Sequence, residues 1–278
     1  MSDAAVPFGE RLGIFQGRLV PSPPGVLQCS PGDRWREEFD RAGSLGLAHV
    51  ELLAERIRRP TEPIWSVTGR AELRAVAAAH GVALVSLCCE EVLEVPLTAG
   101  DFAAGLAGRL ATVVGDLGLE VVVLPLFEAS DPSGLGSSDL AAALRVTAGA
   151  LAAAGARTVL EVPLGAGACV DLLEAVGSPH VGLCYDLGNA TAAGFEPSAE
   201  LGLLGDRVWH VHAKDKDVAG ANVVFGSGRV DFPAAFTALA RLGYTGRFTM
   251  EATRGDDPVA TAAAHRDFLG RIAEAAGI

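Results

Sequence analysis

No stretch of this chain is long and apolar enough to cross a bilayer. Charged residues, glycine and proline interrupt every run well short of the ~20 residues a spanning helix needs. Positive charge is scarce as well: 22 Lys and Arg face 34 Asp and Glu, a net charge of −12. Nucleic acid is therefore not an expected partner, because phosphate backbones are held mainly by Lys and Arg. A small anionic substrate stays compatible, since a site needs only a few local cations. The five cysteines, Cys29, Cys88, Cys89, Cys169 and Cys184, form an odd set without framework spacing, so a reduced, cytoplasmic protein is expected. The opening MSDAAVPFGER has no apolar run and carries acid where a secretory leader would be basic, so no targeting segment is expected. Low-complexity linkers are missing too. The 278 residues are read as one domain, with residues 1–10 as a flexible N-terminal arm.

What is abundant is apolar material: half of the residues are hydrophobic. Short apolar or β-branched runs alternate with longer amphipathic stretches. Eight strands are expected: LGIF near 12, HVELL near 49, VALVSL near 82, EVVVLP near 120, RTVLEV near 157, VGLCYD near 181, RVWHVHA near 207 and RFTME near 247. Helical segments lie between them, such as residues 34–46, 69–81 and 234–243, several closed by a glycine suited to a left-handed cap. Eightfold strand–helix alternation predicts a single (β/α)8 TIM barrel, with a doubly wound open sheet as the other architecture of this pattern.

Four strand ends finish in polar residues that a packed barrel interior would not choose: Glu161, Asp186, His212 and Glu251. Strand side chains alternate between faces, so each can point inward at the rim where barrel enzymes keep their chemistry. A carboxylate–carboxylate–imidazole–carboxylate ring suits Mn2+ or Mg2+ first, and tolerates Zn2+ or Co2+. His210 shares the inward face of His212, as a contact to substrate or as a hydrogen-bonded barrel histidine. Lys214, two residues further, is a candidate for a substrate oxygen, with a solvated lysine as the bland reading. Gln16 and Arg18 after strand one, and Arg254 after strand eight, are candidate contacts to a polar substrate. Glu90 and Glu128 close strands three and four and are expected to stabilise loops. Asp231 reads as a helix N-cap with Pro233 in the first turn. In GSGR (residues 226–229) the glycines would let backbone N–H groups approach a phosphate and Arg229 would add charge; a plain lid fits the same residues. Trp35 and Trp65 flank helix starts, where packing is the default role.

Several segments carry a family resemblance: GIFQGRL (13–19), EEFDRAGSLGLAHVELL (37–53), PIWSVTGRAELR (63–74), CYDLGNA (184–190), GDRVWHVHAKDKD (205–217), GSGRVDFPAAFTALARLGYTG (226–246) and MEATRGDD (250–257). In this order, over nearly the whole chain, they resemble the xylose-isomerase-like barrel superfamily, within its sugar phosphate isomerase and epimerase group. The resemblance implies a metal held by Glu161, Asp186, His212 and Glu251, the second histidine of HVH being the ligand. Two departures stand out. Epimerases of free ketoses carry polar residues just beyond the strand-five glutamate, where this chain has VPLGAGACV, and the last ligand is often Gln in place of Glu251. The implied activity is a divalent-metal-dependent isomerisation or epimerisation of a small sugar or sugar phosphate through an enediolate, with Glu161 and Glu251 moving the proton. The alternatives are a metal-dependent dehydratase of a cyclic polyol or keto acid, and a non-catalytic barrel that binds. The superfamily's nuclease branch needs further rim histidines that His49, His80, His180 and His265 do not provide. The quaternary state is open to a homo-oligomer.

Overall fold

A strand in a parallel barrel is packed on both faces, so it is built from a near-continuous apolar run. The computed structural model, which describes residues 6–23 and 25–278, turns those runs into strands in the expected order. The elements begin with β1 (Leu12–Phe15), α1 (Trp35–Ser44), β2 (His49–Ala54), α2 (Val67–Ala79) and β3 (Ser86–Cys89). Then come α3 (Glu91–Glu94), α4 (Phe102–Leu117), β4 (Val121–Pro125), α5 (Ser137–Ala154), β5 (Arg157–Glu161) and α6 (Ala166–Val176). β6 (Val181–Asp186), α7 (Leu187–Ala192), α8 (Pro197–Leu204), β7 (Val208–Ala213), α9 (Phe232–Arg241), β8 (Arg247–Met250) and α10 (Pro258–Ala276) complete the order. The eight strands neighbour one another in chain order and close into a barrel, so the fold is a (β/α)8 TIM barrel.

Contacts divide the chain into two compact units, one of residues 1–50, 80–82 and 185–278, the other of residues 51–79 and 83–184. In the first, β8 lies between β1 and β7, with Leu12 opposite Phe248 and His212 opposite Thr249. Residues 1–5 of the expected arm lie outside the described residues. In its remainder Phe8–Glu10 form a 3-10 turn, and Phe8 is buried edge-on against Phe236 and Phe248 at ring separations of 5.8 and 5.0 Å. A buried phenylalanine of this kind contributes about 1.5–3 kcal/mol over an exposed one.

In the second unit β2 pairs with β3, β3 with β4, and β4 with β5. Strand β3 begins at Ser86, four residues later than its apolar run suggests. The Val85 carbonyl accepts from both Glu120 and Val121 N–H, at 2.8 and 3.0 Å, so it makes a junction rather than a ladder rung. Helix ends follow the sequence closely. Gly118, Gly155, Gly177 and Gly277 are left-handed caps of α4, α5, α6 and α10. Asp231 caps α9 by accepting from Ala234 N–H at 2.9 Å, with Pro233 in the first turn. Among the described residues no helix is long and apolar enough to cross a membrane.

Candidate functional site

The strand ends place the polar residues by alternation and register. Glu161 is the last residue of β5, opposite Pro125, and its carbonyl accepts from Leu126 N–H at 2.8 Å. Asp186 ends β6, His212 is the second-last residue of β7, and Glu251 directly follows β8 with its N–H on the Ala213 carbonyl at 3.0 Å. All four side chains are buried. Each offers one ligand atom, and these atoms lie within 4.8 Å of one another. The set anticipated from the strand ends is thus brought together.

Three carboxylates at one buried point repel each other unless cations sit among them. Lys214 is one such cation. Its Nζ is 2.9 Å from Asp186 Oδ2 and 2.9 Å from Glu251 Oε1. Arg18 adds a second, 3.6 Å from the same Glu251 oxygen. The other Glu251 oxygen, Oε2, stands 3.0 Å from His212 Nδ1, a separation that a shared proton or a common cation satisfies. Burial alone would push the Glu251 carboxyl up, but Lys214, His212 and Arg18 outweigh it and hold the group below the usual carboxylate range. Asp186 also serves the fold, since its Oδ1 accepts from Asn189 N–H at 2.7 Å and caps α7. The donor set of three carboxylate oxygens and one imidazole nitrogen fits a hard or borderline divalent ion.

The remaining candidates divide sharply. Lys214 is buried in the acidic cluster, which removes the solvated reading. His210 bonds Thr249 Oγ1 at 3.0 Å, and His49 reaches the same hydroxyl at 3.1 Å, so it is a hydrogen-bonded barrel histidine. Gln16 is buried just beyond β1. Arg18 donates to the Leu27 carbonyl and to Gln28 Oε1 besides facing Glu251. Arg254 is a loop clamp: Nε bonds the Gly17 carbonyl at 2.5 Å and Nη1 the Leu27 carbonyl at 2.7 Å. Its donors tie the segment after β1 to the segment after β8. A cavity of about 430 Å³ opens beside it, lined by Val26, Leu27, Asn222, Thr253 and Asp256 among others. Glu128 holds Arg56 in a surface pair at 2.5 Å, the loop role expected of it. Trp35 is buried edge-on against Phe39, a packing role.

At residues 226–229 the glycine N–H groups expected to approach a phosphate are turned onto the protein's own acceptors. Every backbone N–H group of this segment is already committed. Gly226 and Gly228 each donate to Asp215 Oδ2 at 2.9 Å, Ser227 to the Val224 carbonyl at 3.1 Å, and Arg229 to the Lys216 carbonyl at 2.9 Å. Val230 N–H reaches Asp215 Oδ1 at 3.1 Å. The anion at the centre of this nest is the protein's own carboxylate, and the Arg229 side chain is exposed.

Sequence reasoning passed over Asp215, and Glu38 with it. Glu38 is buried under the segment after β1 and accepts from Gly17 N–H at 2.7 Å and Leu19 N–H at 3.0 Å. Burial pushes its carboxyl up to about 7 against the two hydrogen bonds and the nearby arginines. An acidic residue on the otherwise apolar face of α1 was the available signal.

Known proteins share this architecture. The L-ribulose-5-phosphate 3-epimerase UlaE of Salmonella paratyphi A is 28% identical over 268 residues, covering 88% of this chain and 92% of that protein. The solved structure of an L-ribulose 3-epimerase superposes with a TM-score of 0.75 at 18% identity, over 96% of this chain and 95% of that one. A xylose isomerase-like TIM barrel protein from Mycobacterium smegmatis, solved in complex with magnesium, gives a TM-score of 0.72 at 19% identity, over 95% and 97%. The family model of the xylose isomerase-like TIM barrel matches residues 39–272. The chain belongs to the xylose isomerase-like TIM barrel family.

Proposed function

We propose that this protein is a divalent-metal-dependent epimerase or isomerase of a small ketose or ketose phosphate, working through an enediolate. The observation that carries the reading is the convergence of Glu161, Asp186, His212 and Glu251 within 4.8 Å at the ends of four consecutive strands. Relatives named as epimerases of L-ribulose and of L-ribulose 5-phosphate support the substrate class.

A bound divalent ion would supply Lewis acidity toward two neighbouring substrate oxygens, lowering the barrier to loss of the adjacent C–H proton. The protein's own residues do the rest. Asp186 and His212 hold position, the first fixed by its cap on α7, the second by strand pairing opposite Thr249. Glu251 is ionised beside Lys214 and Arg18, the form in which a carboxylate can take up the substrate proton. Glu161, on a strand three places round the barrel, returns one to the other face of the same carbon, or to the neighbouring carbon in an isomerisation.

The test is turnover of L-ribulose and L-ribulose 5-phosphate in heavy water with Mn2+ present. Solvent deuterium is expected in the product, chelator should abolish the reaction, and Glu161→Gln and Glu251→Gln should each slow it about 10²–10⁴-fold. Retention of the substrate hydrogen, insensitivity to chelator, or near-native rates in both variants would each defeat the proposal.

A further inference from the structure

We propose that Lys214 is a built-in competitor for the divalent ion: its ammonium shares Asp186 and Glu251 with the ion and so sets how tightly the ion is held. The inference rests on the metal-binding reading above. Its basis is the position of one side chain.

A lysine just beyond a strand end ordinarily runs its stem along the surface and leaves its ammonium in water. Lys214 does the reverse. The alternation that carries His210 and His212 inward carries it inward too, and its side chain is only 7% exposed. The stem is seated against α7 at Gly188, where a Cβ added to the glycine would come within 2.8 Å of Lys214 Cβ and 2.9 Å of its Cγ. Only glycine leaves room for it there.

The oxygens then decide the competition. Asp186 Oδ1 already accepts from the Asn189 N–H, so Oδ2 is the oxygen with more capacity for a ligand, and Oδ2 is the atom Lys214 holds at 2.9 Å. Glu251 is split the other way: Oε1 faces Lys214 and Arg18, while Oε2 faces His212. An ion that recruits Glu251 through Oε2 leaves the Lys214 contact in place, but one that recruits Asp186 through Oδ2 draws on the oxygen the ammonium already uses. Ammonium and ion also repel at short range, and burial leaves that repulsion poorly screened. Lys214 therefore lowers affinity for the ion while keeping the carboxylates neutralised when the ion leaves.

The experiment is calorimetric titration of Mn2+ alone into chelator-stripped protein, comparing wild type, Lys214→Met and Lys214→Arg. Met keeps the stem without the charge and should bind Mn2+ at least ~10-fold more tightly, about 1.4 kcal/mol. Arg keeps the charge and should stay close to wild type. Thermal unfolding gives a second readout: in chelator the Met variant should melt below wild type, and it should gain more from added Mn2+. If the Met variant needs metal to fold, its refolding should be rescued by Mn2+ concentrations no higher than those that saturate wild type. Equal or weaker Mn2+ binding by a folded Met variant, or failure of Mn2+ to rescue an unfolded one, overturns the proposal and makes Lys214 a positioning residue. Absence of Mn2+ binding by wild type would instead bring down the metal reading, and this inference with it.

Discussion

Asp215→Asn changes one oxygen to an NH2 group in the centre of the loop after β7, and the hydrogen bonds around it set the expected damage. The carboxylate accepts four backbone N–H groups: Lys216 at 3.0 Å and Val230 at 3.1 Å on Oδ1, Gly226 and Gly228 both at 2.9 Å on Oδ2. It is fully buried. An asparagine keeps one acceptor oxygen, so two of the four donors come to face another donor. Each buried N–H left unsatisfied costs about 1–3 kcal/mol, which puts the total at about 2–6 kcal/mol. The side chain cannot slide to recover the loss, because Gly228 already lies so close that a Cβ there would be 2.1 Å from Oδ1. Urea unfolding should therefore show a loss of about 2 kcal/mol or more. Amide hydrogen exchange at Gly226, Gly228 and Val230 should accelerate ahead of exchange in the strands. Asp231→Asn is the control, since that exposed cap holds a single N–H and Asn caps nearly as well as Asp. An Asp215→Asn protein within about 0.5 kcal/mol of wild type, with those three amides still protected, would refute the account of this loop.

Two further outcomes are expected. Glu38 has a folded-state pKa of about 7 against an ordinary value of 4.5, so its stability contribution is whole below pH 4.5 and is lost as pH rises through 7. The loss is about 3 kcal/mol at ~1.4 kcal/mol per unit. Glu38→Gln, with no charge to bury, should lose that much less than wild type between pH 4.5 and 8 in urea unfolding, and parallel losses in the two proteins would sink the assignment. Gly188→Ala should cost about 1–3 kcal/mol by overpacking, because its methyl would meet Lys214 at 2.8–2.9 Å and α7 must move off β7; an unchanged denaturation midpoint would show that the contact is soft.

The barrel was legible because strands buried on both faces must be spelled mainly in apolar residues, and each one carries such a run. The candidate metal residues were legible for the converse reason. Glu161, Asp186, His212 and Glu251 interrupt such runs at their C-terminal ends, where nothing in packing asks for charge. The loop contacts of Arg254 were not legible, because its distance in sequence from Glu251 says nothing about the carbonyls of Gly17 and Leu27, more than two hundred residues away, that absorb its donors. The partner of the glycines at residues 226–229 was not legible for a related reason. A Gly-rich turn announces that its N–H groups converge, but not on what. The acceptor proved to be Asp215, eleven residues before Gly226. Gly188 carried no signal at all, since its value lies in a Cβ that Lys214 would otherwise meet.

The exit of β7 ties these observations together. Lys214 and Asp215 are adjacent and of opposite charge, a pair that on a surface would solvate or bind each other. Strand alternation continues past Ala213 and separates them instead. Lys214 joins His210 and His212 on the inner side and meets Asp186 and Glu251, while Asp215 turns away and gathers the loop of residues 216–230. One strand end thus delivers a cation where carboxylates crowd and an anion where amides converge, each charge matched by groups that would be unstable without it. The arrangement explains how a chain with so few basic residues keeps a buried acidic centre: its cations are placed, not plentiful. It also fixes the phase of the loop relative to the site, because the residue that anchors the loop and the residue that faces Asp186 and Glu251 share one peptide bond. A one-residue slip at this point would move Lys214 out of the acidic cluster and Asp215 off its amides together.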